Sequence, residues 1–134
     1  MPTLHLKIVP TANAGINKIF LSNPIRSQNL TLQSAIINKV GTGYAKSQVF
    51  VRIPFLSANQ FHSNDKTGFL SFPTQKSTAA LETLSFGGGL KLDADNIPEV
   101  FECQLLDADL APITSLTHFT SLDLYFSYDT HSLF

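Results

Sequence analysis

The sequence is short of cysteine, tryptophan and charge. Cys103 is the only cysteine among 134 residues, so no internal disulfide can form. A chain of this length buries roughly two-thirds of its unfolded surface, so it needs no disulfide or metal to hold it together. A lone thiol also suits a reducing compartment. Tryptophan is absent, which weighs against the aromatic platforms on which sugars stack. Charged residues make up 14%, where about a quarter is usual. The net charge is −1. Without a basic surplus there is little to neutralise phosphates, which excludes most nucleic-acid-binding arms. No window approaches the 18 or so apolar residues of a membrane helix. The first residues alternate rather than forming a basic start and an apolar stretch, so a soluble, unprocessed chain without membrane insertion is expected.

Motifs that carry chemistry are also missing. His5, His62, His118 and His131 are scattered, with no HExxH or HxH spacing to favour zinc. Asp93-Ala94-Asp95-Asn96 and Asp107-Ala108-Asp109 are acidic clusters, but neither follows a calcium loop: with Asp93 as the first position Ile97 is the fifth, and no glycine stands at the sixth. Both fit turns in which aspartate bonds its own backbone. Gly87-Gly88-Gly89 lacks the Gly-Lys-Ser/Thr of a phosphate loop and fits a flexible turn. No serine sits in a GxSxG elbow. Asn29-Leu30-Thr31 is a sequon inside an expected strand and is treated as chance. No catalytic residue, metal or cofactor is expected.

Alternation is what the chain does have. Leu4, Leu6 and Ile8 alternate with His5 and Lys7, which predicts a strand at 3–9, ended by Pro10. Further strands are predicted at 17–22, 29–38, 47–55, 69–72, 90–92, 99–106 and 120–128. Cys103 shares a face with Phe101 and Leu105 and fits a small buried hydrophobe. Residues 57–67 are expected to form a loop. Residues 77–85 predict one short helix, with Ala79, Ala80, Leu81, Glu82 and Leu84 as helix formers, Ser77 or Thr78 as cap and the three glycines as its end. About eight strands without helical spacers predict an all-β antiparallel sandwich, jelly-roll-like, in one domain over 1–134. An immunoglobulin-like sandwich is the alternative.

Several strands are apolar on both faces. Phe20 lies opposite Ile19 and Leu21, Phe50 opposite Val49 and Val51, and Tyr125 opposite Leu124. The outer face of a sandwich is normally polar. Either a loop or helix covers these rings, or they meet another subunit, where aromatics are enriched and charge is depleted. Phe20, Phe50, Tyr125 and the terminal Phe134 are therefore candidate interface residues, and a homo-oligomer is expected.

Three segments carry a resemblance. They are Leu30-Thr31-Leu32-Gln33-Ser34-Ala35-Ile36-Ile37-Asn38, Phe101-Glu102-Cys103-Gln104-Leu105-Leu106-Asp107 with the following Leu110-Ala111-Pro112-Ile113, and the closing Leu122-Asp123-Leu124-Tyr125-Phe126-Ser127-Tyr128. Their order resembles the single jelly-roll minor capsid, penton-type proteins of double-stranded DNA viruses, including virophages, polinton-like viruses and giant-virus relatives. That resemblance implies a non-enzymatic virion component, assembled in the host cytoplasm or nucleus. It would pack as a trimer or pentamer against other capsid proteins without contacting nucleic acid directly. The alternative is a ligand-binding β-sandwich, such as a carbohydrate-binding or viral attachment module, with Phe61 and His62 in its binding loop.

Overall fold

The computed structural model describes residues 3–25, 30–39, 44, 46, 48–54, 68–74, 81–92, 97–116 and 119–128. Among them run eight strands: β1 (Thr3–Ile8), β2 (Ile16–Phe20), β3 (Leu30–Lys39), β4 (Gln48–Ile53), β5 (Gly68–Pro73), β6 (Leu81–Leu92), β7 (Val100–Asp107) and β8 (Phe119–Tyr128). They form two four-stranded antiparallel sheets, β1-β8-β3-β6 and β2-β7-β4-β5. Apart from β4 to β5, each connection leads from one sheet to the other. This is the strand order of an eight-stranded jelly roll.

Period-two alternation builds the core between the sheets. Leu4, Leu6 and Ile8 of β1 point inward beside Leu122, Leu124 and Phe126 of β8. Val49, Val51 and Ile53 of β4 meet Phe101, Cys103 and Leu105 of β7 in the same interior. Cys103 is fully buried as expected, and burial pushes its thiol up to about 12.

The passage from β1 to β2 shows how the chain changes sheets. The buried Asn17 accepts the Val9 N–H at 3.0 Å and donates to the carbonyls of Val9 at 2.8 Å and Gly15 at 3.2 Å. One side chain thus satisfies backbone groups that no ladder reaches. Gly15 is required here. Its φ is +70°, and a Cβ would stand 2.6 Å from the Leu105 carbonyl oxygen.

The sequence-predicted helix is corrected. Residues 81–85 belong to β6, while 77–80 lie outside the described residues. Leu81, Thr83 and Ser85 are exposed, and Glu82, Leu84 and Phe86 are half-buried. That alternation, paired with Asn38 to Ser34 of β3, outweighs helix propensity, which is a weak local preference. The expected glycine turn is corrected with it. Gly87-Gly88-Gly89 lies inside β6, where the register with β3 jumps from Ser34↔Ser85 to Leu32↔Leu90. Four residues, Phe86 to Gly89, bulge opposite Gln33 alone. Gly89 has φ +82°, and a Cβ there would run into Thr31 Cγ2.

Candidate assembly surface

The outer face of the β2-β7-β4-β5 sheet is built from the residues that alternate with the core. On β2 these are Ile16, Lys18 and Phe20, and on β7 they are Val100, Glu102, Gln104 and Leu106. The ladder sets Phe20 across from Val100, Lys18 across from Glu102 and Ile16 across from Gln104. Phe20 is 69% exposed and Val100 44% exposed. The Lys18 Nζ stands 5.6 Å from the Phe20 ring centroid, a cation–π contact that holds the ammonium over the ring.

Phe50 shares this outer face but not this patch. It pairs with Leu106, six residues along β7 from Val100, or roughly 20 Å at strand rise. Phe50 is half-buried. Leu106 is buried where Pro112 bridges to it. Tyr125 lies on the other sheet, half-buried, with the His5 ring stacked on it at 4.5 Å. Phe134 lies outside the described residues, as do Phe61, His62, His118, His131 and the Asp93–Asn96 cluster. The structure therefore separates the candidate aromatics that alternation alone had grouped.

The outer face of the β1-β8-β3-β6 sheet carries a polar cluster that sequence reasoning missed. The Asp123 carboxylate lies 2.8 Å from His5 Nε2, accepts the Ser121 hydroxyl at 3.1 Å and is 3.4 Å from Asn38 Nδ2. Asn38 also donates to Ser121 Oγ at 3.0 Å. The carboxylate sits between hydroxyl and imidazole, so the imidazole is not placed to take the Ser121 proton. A nucleophile needs the base in that middle position. The cluster instead ties the edge strand β1 and strand β3 to β8. His5 and Asp123 are 118 residues apart, and no local spacing could have paired them.

The acidic turn at 107–109 has the aspartate-capped form that its sequence predicts. Asp107 Oδ1 accepts the N–H groups of Asp109 at 2.8 Å and Ala111 at 3.0 Å. Lys46 Nζ reaches Asp107 at 3.1 Å and Asp109 at 2.6 Å. Burial pushes the Asp107 carboxyl up, but these N–H groups and the Lys46 ammonium outweigh it and hold the group below its usual value. Among the described residues no group of three or more His, Cys, Asp or Glu could hold a metal ion. A cleft of about 320 Å³ opens beside Thr3, Leu4, the 21–25 segment and Tyr128.

No protein-family model matches the chain, and no curated protein matches it. Among solved structures, a chain from the X-ray crystallographic structure of tomato aspermy virus aligns over 99% of this chain and 80% of its own length. The identity is 10% and the TM-score 0.32. A likeness of that size carries no argument, so the jelly-roll assignment rests on the strand ladders themselves.

Proposed function

We propose that this protein is a non-enzymatic structural subunit that assembles with copies of itself and with other capsid proteins, as a minor component of a virion. The observation that carries the proposal is the apolar pair Phe20 and Val100 on an outer sheet face. Single exposed apolar side chains are ordinary, whereas contiguous apolar patches mark contact surfaces, and these two adjoin across one rung. Leu81 and Leu90 add exposed apolar groups on β6, a strand at the margin of its sheet. Low charge favours association further. The jelly-roll strand order agrees with the resemblance to penton-type proteins. On this reading Phe20 and Phe50 contact neighbours on one face and Tyr125 on the other, with Phe134 as a terminal contact.

Light scattering of the purified protein tests this. A stable oligomer is expected, and Phe20→Asp should raise the concentration needed to hold it by about tenfold, the equivalent of ~1.4 kcal/mol. A clean monomer at high concentration would overturn the proposal and favour the ligand-binding sandwich.

A further inference from the structure

We propose that the outer face of β2 and β7 is a two-fold contact with a second copy of this chain. The inference rests on the reading of that face as a contact surface and names what covers it. Its basis is the chemistry of three successive rungs. Phe20 faces Val100, Lys18 faces Glu102, and Ile16 faces Gln104. Consider a two-fold axis that lies in the contact plane and runs between the two strands. It lays β2 of one copy over β7 of the other at equal height. Each Lys18 then meets the partner subunit's Glu102, and each Phe20 meets the partner subunit's Val100. A two-fold interface requires this self-complementarity, because one patch must match itself.

The charges are left available for such a contact. Lys18 and Glu102 are both exposed. No ion pair joins them within the chain among the described residues, and the Lys18 ammonium leans over Phe20 instead. The same pattern rejects the competing arrangements. An axis running across the strands at the height of Lys18 stacks that residue on the partner subunit's Lys18. In-register pairing of the β2 edges centred on Lys18 does the same, and like charges directly opposite each other repel. A lysine in the middle of a short edge strand is also a standard guard against edge pairing. The face is thus compatible with a second copy, while the neighbouring edge is not in the register centred on Lys18.

Light scattering over a concentration series at low salt tests the contact, using wild type, K18E, E102K and an equimolar mixture of the two variants. The wild-type mass is expected to double with concentration, whatever its basal oligomer, and the doubling should weaken as salt screens the charges. Each variant alone should associate about tenfold more weakly, because its two charge contacts become repulsive. The mixture should recover the doubling. Across the two copies it restores opposite charges at both contacts, while within each chain the like-charged rung remains. Recovery therefore reports pairing between copies rather than repair of the rung within one chain. A mixture that fails to recover overturns the two-fold contact. A trimer or pentamer of constant mass that neither reversal alters also overturns it, yet leaves the proposed assembly role standing. A wild-type monomer at every concentration overturns both.

Discussion

Asp107 shows how a residue picked out as a turn-former comes to carry pH dependence. Its carboxylate closes the turn by accepting two backbone N–H groups and faces the Lys46 ammonium. These contacts hold its ionisation below the usual range against the opposing effect of burial. A carboxyl lowered in the folded state stabilises the protein at pH values above its unfolded pKa of about 3.9, and that contribution is lost as pH falls through the folded value. Thermal melting followed by circular dichroism should therefore show Tm falling below about pH 4. Asp107→Asn should lower Tm at neutral pH and flatten the acid slope. An unchanged slope in the variant would show that this carboxylate contributes nothing to acid sensitivity. The turn was readable because aspartate bonding to nearby backbone is a local act. The Lys46 contact was not, because it spans 61 residues to Asp107.

Strand β6 is where local preference and tertiary pairing disagree most. Leu81, Glu82 and Leu84 favour helix, yet each residue of this stretch also fits a strand whose alternate side chains reach the core. Glu82 shows what the strand gains and what it must bury. It sits opposite Ile37 on β3, and its carboxylate lies 2.6 Å from Nζ of Lys39, whose side chain is fully buried. Breaking a buried pair by removing one partner costs about 3–5 kcal/mol, whereas replacing both with apolar groups of similar size is often neutral. Glu82→Ala is expected to lose stability of that order in urea unfolding, and Glu82→Leu combined with Lys39→Met to recover most of it. If Glu82→Ala proves as stable as wild type, the pair does not secure β6 against β3. The other strands were readable because each displays its own inner and outer faces. β6 was read only at its end, 90–92, because the identity of 81–85 depends on β3 lying beside it. The glycine bulge follows from the same pairing: opposite Gln33 the ladder needs extra chain, and only glycine meets the positive φ and the close approach to Thr31 at position 89.

The whole molecule is dominated by pairings between distant segments. β1 closes on β8, and β3 lies between β6 and β8. Chains built from non-local contacts must close long loops before any contact repays the entropy, and they fold in milliseconds to seconds. Stopped-flow refolding from urea should show its main phase in that range, and a main phase in microseconds would contradict the topology. The sequence by itself determined the all-β class, seven of the eight strands, the inward set from Leu4 to Phe126, the buried cysteine and the aspartate turn. Each of these follows from period-two alternation or from bonds to adjacent backbone, which act over a few residues. Tertiary structure alone decided that Phe20 joins Val100 while Phe50 stands at the far end of β7 and Tyr125 on the other sheet. It likewise brought His5 to Asp123 and extended the strand expected at 90–92 back to Leu81. Alternation says which way a side chain points relative to its own strand, but which residues share a surface depends on the order and register of strands far apart in the chain.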